Sequence, residues 1–106
     1  MVNLNELVEQ ARAMQEKVRL AQEELEKIDV EGVAVGPATA LVKVTMSCLK
    51  VAKRVSIDPS LIAVEQKENL EDLLVAAFNN AKEKAEEIST ATMEEATGGL
   101  QLPAGV

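Results

Sequence analysis

The sequence predicts an α+β fold in which a long helix, a three-stranded antiparallel sheet and a second long helix follow one another in the order α-β-β-β-α. Three patterns carry this prediction: an apolar period of seven over residues 3–28, alternation of apolar and polar residues over 40–57, and a helical apolar stripe over 66–96. We expect a single domain. Its predicted parts are an N-terminal helix (1–29), a sheet (30–57), a C-terminal helical part (58–97) and an extended tail (98–106).

The first helix is predicted by two apolar series with a spacing of seven residues. They occupy the a and d positions of four heptads, which is typical of a helix with a narrow apolar seam. Asn3 or Asn5 can cap the start of this helix. Two interpretations of the seam remain open: it packs against a partner helix, or it covers the chain's own sheet. The series are Leu4, Ala11, Val18 and Leu25, and Leu7, Met14, Ala21 and Ile28.

The sheet begins where glycine and proline interrupt the heptads and β-branched residues become frequent. Strands are predicted near residues 30–35, 40–47 and 50–57. Their alternation predicts one buried face and one solvated face. The inward side chains are expected to be Val42, Val44, Met46, Val51, Val55 and Ile57. The outward ones are expected to be Lys43, Thr45, Ser47 and Lys53, with Arg54 at the edge or beyond a bulge.

The second long helix is predicted over residues 66–96. Asp58 and Pro59 form a helix-start pattern shortly before it, with Asp58 as the N-cap. Gly98 and Gly99 end the helix, and the chain continues as an extended tail. The apolar stripe consists of Leu70, Leu74, Ala77, Ala81, Ala85 and Ile88, widened by Leu73 and Phe78.

The composition predicts a core that one chain does not complete. Phe78 is the only aromatic residue although 47% of the residues are hydrophobic, and aromatic side chains usually supply much of the buried area of a small core. A second subunit would supply this area, so we expect a homodimer. Cys48 is the single cysteine, which excludes an intramolecular disulfide. No secretory signal or membrane-spanning run is visible, so we expect a cytoplasmic protein without a membrane partner.

Positive charge is concentrated in the predicted sheet. The formal net charge is −7, yet residues 32–57 contain four bases and no acid. We expect Lys43, Lys50, Lys53 and Arg54 to neutralise the phosphates of a partner. The alternative is a solvated sheet face whose lysines deter pairing between sheet edges.

The helices carry a second set of candidate bases. Glutamates surround them, so intrahelical ion pairs are the favoured alternative to a binding role. The set consists of Arg12, Lys17, Arg19, Lys82 and Lys84.

The sequence offers little for catalysis. It has no histidine, which excludes Ser–His or Cys–His activation of a nucleophile. The basic neighbours of Cys48 would lower its pKa, but a lone cysteine in a turn is usually inert. The sequence has neither a phosphate-cradling glycine loop nor the spacing of a calcium loop. We therefore expect a non-enzyme without a metal, a cofactor or a small-molecule substrate.

The scarcity of aromatic residues also bears on the type of nucleic acid. Single strands are usually bound by stacking their bases on aromatic rings, and Phe78 is expected to lie in the core. Duplex DNA, bound through its backbone and its deformability, fits this composition better.

Five segments in a fixed order carry a resemblance to a known family. They are QARAMQEKVRLAQEEL (10–25), LVKVTM (41–46), VSIDPSL (55–61), LEDLLVAAFNNA (70–81) and TGGLQLPAG (97–105). They are spread over nearly the whole chain, from residue 10 to residue 105, and resemble the YbaB/EbfC nucleoid-associated proteins of bacteria. At the turn after the second strand, Ser47-Cys48 replaces the Asn-Gly that is frequent in this family.

The resemblance implies a tweezer-like homodimer of the nucleoid that binds duplex DNA with little sequence specificity and alters its conformation. It also implies that DNA lies along the helical arms, whereas the charge pattern favours the strands. A function of a different class remains open: an acidic helical scaffold or adaptor whose seam and leucine-rich second helix bind another protein.

Overall fold

The structure, a computed structural model, describes residues 3–98 and has the predicted α-β-β-β-α order. The predicted tail lies outside the described residues except for its first residue, Gly98. The elements are α1 (Leu4–Lys27), β1 (Asp29–Val35), β2 (Leu41–Ser47), β3 (Ala52–Ile57) and α2 (Lys67–Ala96), with short 3-10 turns at Pro37–Thr39, Pro59–Leu61 and Val64–Gln66.

The three strands form one antiparallel sheet in the order β1-β2-β3. The pairing of β2 with β3 shifts by one residue, because Thr45 lies opposite Arg54 whereas Met46 lies opposite Ala52. Lys53 is therefore the extra residue of a bulge, and Arg54 shares the outer face of the sheet with Thr45. Of the two placements that the sequence left open for Arg54, at the edge or beyond a bulge, the structure shows the bulge.

Helix α2 packs closely on the inner face of β1 and β2. Ala77, Ala81 and Ala85 are fully buried along the contact. A Cβ atom added to Gly32 of β1 would lie 2.1 Å from the Ala77 carbonyl oxygen and 2.4 Å from the Ala81 nitrogen. Glycine at position 32 therefore allows the backbones of α2 and β1 to approach each other. The predicted apolar stripe of α2 is confirmed, since its larger members pack around these alanines.

Two side chains of α2 cover the free edge of β1. Val33 donates its backbone N–H to Asn80 Oδ1 at 3.0 Å, and Lys84 Nζ donates to the Glu31 carbonyl at 2.7 Å. These bonds satisfy backbone groups that an edge strand otherwise presents to other chains. Within residues 3–98, the outer edge of β3 receives no comparable hydrogen bonds. The two edges of the sheet are therefore unequal.

Helix α1 is buried only in its second half. Asn3 caps its start. Ala21 and Leu25 are buried in the core, whereas Leu4 is 75% exposed and Leu7 is 47% exposed. The seam therefore packs within the chain near its C-terminal end, mainly against α2 rather than the sheet. Its first half is uncovered.

Helices α1 and α2 run antiparallel, and α2 ends beside the middle of α1. Lys17 and Leu20 of α1 line a shallow cleft together with Glu95 and Ala96, the last residues of α2. The part of α1 that continues past this point, residues 4–17, is named the arm. At 1.5 Å per residue the arm extends about 20 Å beyond the end of α2.

The inner face of β3 is less buried than its alternation predicts. Val51 is 58% exposed and Val55 is 40% exposed, and only Ile57 is half-buried. The prediction that Val51 and Val55 are buried is wrong, because α2 packs mainly over β1 and β2. The strand also begins at Ala52, two residues later than predicted.

The turn between β2 and β3 corrects a second prediction. Ser47 is buried rather than solvated, and its hydroxyl accepts hydrogen bonds from the N–H groups of Leu49 and Val51, both at 3.3 Å. Lys50 lies in this turn rather than in β3, with a φ of 67°. The serine is therefore a turn-forming residue, which alternation along the strand does not reveal.

Candidate nucleic-acid interface

Two of the predicted phosphate-binding bases are paired with acids of β1. Lys53 Nζ lies 2.7 Å from Asp29 Oδ1, and Lys43 Nζ lies 3.8 Å from Glu31 Oε1. Both acids precede the acid-free stretch in the sequence, but β1 lies in the same sheet as β2, which carries Lys43, and β3, which carries Lys53. All four side chains are about half exposed, and pairs of this kind contribute little to stability. The acid-free stretch of the sequence therefore has acidic neighbours in space.

Lys50 lies beside an acidic surface of α2. Its Nζ atom is 3.2 Å from Glu86 Oε1. Three more glutamates, Glu83, Glu87 and Glu94, line a shallow surface together with Glu86. Because these carboxylates repel phosphates, Lys50 is the least favourable of the four strand-region bases for a contact with DNA.

Arg54 is the strand-region base that has no ion pair with any residue of the described part of the chain. Its side chain is exposed and lies on the outer face of the sheet, opposite Thr45. A guanidinium group remains charged and presents a planar fork of N–H donors that matches a phosphate. Arg54 is therefore the strongest candidate for an anion contact in the sheet.

Lys27 is a basic residue of this region that the sequence patterns did not single out. It lies in the last turn of α1 and lines a shallow cleft with Glu26, Ser47, Val51 and Lys53. A cation in the last turn of a helix is common because of the helix dipole, so its position in the sequence carries no signal for binding. Its proximity to Lys53 depends on the packing of the β2–β3 turn against the end of α1.

Arg19 is held by two carboxylates of its own helix. Its Nε atom donates to Glu16 Oε2 at 3.0 Å, its Nη1 atom donates to Glu23 Oε1 at 2.6 Å, and Nη2 also donates to Glu16. These hydrogen bonds hold the pKa of the Glu16 carboxyl below its ordinary value. Hydrogen bonding to Glu16 and the charges of both carboxylates raise the pKa of Arg19. The intrahelical ion pair is therefore confirmed for Arg19.

The other helical bases of the predicted set have different surroundings. Arg12, Lys17 and Lys82 are exposed and have no ion pair among residues 3–98. Lys84 donates to the Glu31 carbonyl at the edge of the sheet. The intrahelical ion pair therefore does not occur at these four positions. Arg12 and Lys17 place unpaired positive charge on the arm.

Cys48 does not have the reactive character that its basic neighbours suggest. Its side chain is buried, and burial together with the charge of Asp29 raises the pKa of the thiol. Lys50 and Lys53 do not reverse this effect, because each of them is paired with a carboxylate. Burial and the raised pKa agree with the favoured expectation of an inert Cys48 and contradict the alternative of a lowered pKa.

The described part of the chain has neither a metal-binding cluster nor a membrane-spanning helix. Residues 3–98 contain no group of three or more acidic or cysteine side chains placed to hold a metal ion. No helix in the same range has the length and apolar character needed to cross a membrane.

The fold and its charges define a small domain in which one long helix covers a three-stranded sheet, a second long helix packs mainly on the first, and exposed bases lie on both the sheet and the arm. The chain belongs to the YbaB/EbfC DNA-binding family, whose model matches residues 1–100. It is similar to a nucleoid-associated protein of Bordetella avium (strain 197N), with 52% identity over 100 residues that cover 94% of this chain and 89% of the relative. The resemblance carried by the five sequence segments is therefore confirmed.

Proposed function

We propose that this protein binds duplex DNA in the bacterial nucleoid as a homodimer, mainly through the phosphate backbone and with little sequence specificity, and that it alters DNA conformation. The observation that carries the proposal is the match of a DNA-binding family to residues 1–100, because this range includes both the sheet and the arm. The name of the relative from Bordetella avium supports the nucleoid, and thus the cytoplasm, as the location.

We assign the phosphate contacts according to whether each base is already paired with a carboxylate. Arg54, Arg12 and Lys17 come first, because no carboxylate has to be displaced from them. Lys43 and Lys53 come second, since a half-exposed ion pair is worth at most about 1 kcal/mol and its lysine can exchange partners. Lys82 is also unpaired among residues 3–98 and joins the first group. The remaining bases of the predicted set, which have weaker support, are Lys50, Arg19 and Lys84.

The preference for duplex DNA is supported by the residues available for contact. Phe78 is the only aromatic residue, and it packs partly buried against the core. The protein therefore has no aromatic platform on which the bases of a single strand can stack. Contacts from lysine and arginine to phosphates position a protein on DNA without reading base identity, which supports low sequence specificity.

The homodimer is supported by the uncovered apolar face of β3. Val51 and Val55 are exposed on this strand and its preceding turn, and Ile62 (65%) and Val64 (89%) are exposed shortly after it. The adjacent edge of the sheet is also open within the described range. A second copy of the chain would cover both features through a symmetric contact. Such a dimer contains two copies of Arg54 and two arms.

Binding of two duplexes of unrelated sequence, measured by fluorescence anisotropy at about 50 mM and about 200 mM salt, tests the proposal. Four to six phosphate contacts per dimer predict similar affinities for the two duplexes and a log–log salt slope of roughly −4 to −5. Sedimentation velocity should show a dimer at micromolar concentration. Failure to bind either duplex at about 50 mM salt would overturn the assignment of DNA as the partner.

A scaffold or adaptor that binds another protein is a second candidate function. It is favoured by the acidic surface of α2 and by the formal net charge of −7, which suit a basic protein partner. The same titration separates the two candidates, because an adaptor of this kind has no affinity for DNA at low salt.

A further inference from the structure

The arm carries an apolar seam that the described part of the chain leaves uncovered. Leu4 is 75% exposed, Leu7 is 47% exposed and Val8 is 49% exposed. Ala11 is exposed as well, and Met14 is half-buried. These residues continue the heptads that are buried near the C-terminal end of the same helix. The arm therefore extends a packing surface past the point where α2 ends.

A second arm that runs antiparallel to the first fits this seam layer by layer. In such a pair, a residue of the a series packs against a residue of the d series of the partner. When Leu7 lies level with the partner's Ala11, Leu4 lies level with the partner's Met14. Each layer then contains one leucine and one residue that is smaller or more flexible, which fills the contact without placing two leucines opposite each other. Val8 lies beside the partner's Val8 and closes one side of the contact.

The borders of the seam also suit a second copy. Besides Val8 they are occupied by Asn3, Gln10, Gln15 and Lys17, and the acids of the arm lie further round the helix. In the register described above, Gln10 lies beside the partner's Gln10, and Lys17 lies beside the partner's Asn3. The pairing therefore buries no unpaired charge at the borders of the seam.

Two charged side chains complement each other across the same contact. Lys17 and Glu6 are exposed and have no ion pair among residues 3–98, although Lys17 lines a cleft with Glu95. In the antiparallel register, Lys17 and the partner's Glu6 lie on the same side of the contact, about 7 Å apart along the helix axis. Helical side chains lean towards the N-terminus of their own helix, so these two lean towards each other. The two-fold symmetry of the pair supplies this attraction twice.

We propose that the arm binds the arm of a second copy of this chain, antiparallel and with Leu7 level with the partner's Ala11. In this register Asn3 reaches the level of the partner's Gln15, just short of Lys17, where the partner's α2 ends. A longer overlap would run into that α2, and a shorter one would leave Ala11 uncovered. The length of the arm thus selects the register.

The contact is small and therefore weak. Fewer residues take part than the roughly 20–30 a side of a standard stable interface. It adds to the proposed contact at β3 and does not replace it. The inference does not depend on DNA binding, and its tests contain no DNA.

Cross-linking of the full chain through single cysteines tests the pairing. In a Cys48→Ser background, Val8→Cys should give a dimer-sized band with a short bismaleimide, because the two Val8 positions lie side by side. Leu4→Cys should react with its own copy about tenfold more slowly, since the two Leu4 positions lie about 15 Å apart along the axis. Ala13→Cys, which lies away from the seam, should be equally slow. Equal rates for Val8→Cys and Leu4→Cys would indicate parallel arms, and equal rates for Val8→Cys and Ala13→Cys would indicate random collision; either result overturns the proposal.

A charge placed in the seam tests whether apolar contact drives the pairing. Leu7→Asp in the Val8→Cys chain should slow cross-linking about tenfold, because it would bury an unpaired carboxylate. Val75→Asp is the matched control, since it adds the same charge at an exposed valine of α2 (61%) and should leave the rate unchanged. Equal slowing by both substitutions would show a general effect of charge and would contradict the proposal.

A charge exchange tests the register. In the Val8→Cys chain at low salt, Lys17→Glu should slow cross-linking about threefold, because it faces the partner's Glu6. Adding Glu6→Lys to the same chain should restore the rate, since the two charges are only interchanged. Failure of the second substitution to restore the rate would overturn the proposed register.

Discussion

The sheet and the arm present positive charge in opposite ways. In the sheet, Lys53 has no acid near it in sequence, yet it lies 2.7 Å from Asp29, which precedes it by 24 residues. On the arm, Arg12 has acidic neighbours in sequence but no ion pair in the described structure. Glu16, its neighbour one turn away, is held by Arg19 instead. Proximity in sequence therefore gives the wrong pairing state for Lys53 in the sheet and for Arg12 on the arm.

The two regions also differ in how tightly they are packed. On the sheet, α2 approaches β1 so closely that the space beside Gly32 does not admit a methyl group. On the arm, no described element covers the seam. Substitutions in the sheet should therefore mainly change the free energy of unfolding. Substitutions on the arm should mainly change the charge and apolar character of the exposed surface.

The largest expected effect is on folding. Gly32→Ala should lower the free energy of unfolding by about 3 kcal/mol or more, because its Cβ would meet backbone atoms of Ala77 and Ala81 that cannot move separately. Gly36→Ala is the matched control, since its Cβ would meet only the flexible end of Leu73 at 2.6 Å. Urea unfolding measures both, and equal losses would show that α2 shifts freely on the sheet.

The next effect is on assembly. Val55→Lys should dissociate the proposed dimer at micromolar concentration, because it places a charge on the uncovered face of β3. Val35→Lys is the control on the opposite edge strand, where the native side chain is 62% exposed. Sedimentation velocity compares the two variants, and circular dichroism verifies that both are folded. A dimer that survives Val55→Lys but not Val35→Lys would place the contact at β1.

A smaller effect should separate the bases of the sheet. Arg54→Ala should reduce the log–log salt slope for duplex DNA by about two per dimer, since each chain loses one phosphate contact. Lys50→Ala should leave the slope nearly unchanged, because Lys50 is paired with Glu86 beside an acidic surface. A larger decrease in the salt slope for Lys50→Ala than for Arg54→Ala would contradict the assignment of phosphate contacts to the bases without an ion pair.

The arm offers a parallel test with a similar or smaller effect. Arg12→Ala should weaken DNA binding and lower the salt slope, whereas Arg19→Ala should do neither, because Glu16 and Glu23 already occupy the Arg19 guanidinium. Anisotropy titrations of both variants check this. If Arg12→Ala costs more than Arg54→Ala, the arm rather than the sheet holds the DNA.

The smallest effect concerns two carboxyl groups whose pKa values are lowered for different reasons. Hydrogen bonding from the Ser60 backbone lowers the pKa of Asp58, and hydrogen bonding from Arg19 lowers the pKa of Glu16. Raising the salt concentration from about 0.1 M to about 1 M should return Glu16 further towards its ordinary pKa than Asp58, because an exposed ion pair is screened. Titration of both carboxyl groups by NMR checks the difference.

The sign of the stability effect follows from the lowered pKa. A depressed pKa means that the ionised Asp58 stabilises the folded state above its ordinary pKa, and that this contribution is lost as the pH falls through the folded-state value. Asp58→Ala should therefore lower the melting temperature at pH 7, and lower it less at a pH below the ordinary aspartate pKa of about 3.9. An equal decrease at both pH values would show that the cap acts independently of its charge.

The sequence was sufficient for the features that depend on local periodicity. The heptads of α1, the alternation of β2 and the stripe of α2 each predicted an element whose bounds agree with the structure within two residues. The bulge before Arg54 was also predictable, because it was needed to reconcile the phase of β3. These signals arise from backbone geometry, which repeats along the chain.

Features that depend on which elements meet were not predictable in this way. The exposure of Val55 follows from the path of α2 over β1 and β2, and the burial of Ser47 follows from the turn that it forms. The approach of Lys27 to Lys53 likewise requires the end of α1 to lie beside that turn. The availability of each base as a DNA contact depends on such long-range neighbours.

The unequal edges of the sheet limit how many chains can join through strand pairing. Asn80 and Lys84 close one edge by satisfying the backbone of β1, which leaves one edge per chain at which another strand can be added. A chain with one open sheet edge forms a closed dimer when two copies pair through that edge. A chain with two open edges can add further copies and form a fibre. Within the described residues, Asn80 and Lys84 therefore hinder strand addition at β1, and the edge of β3 stays open.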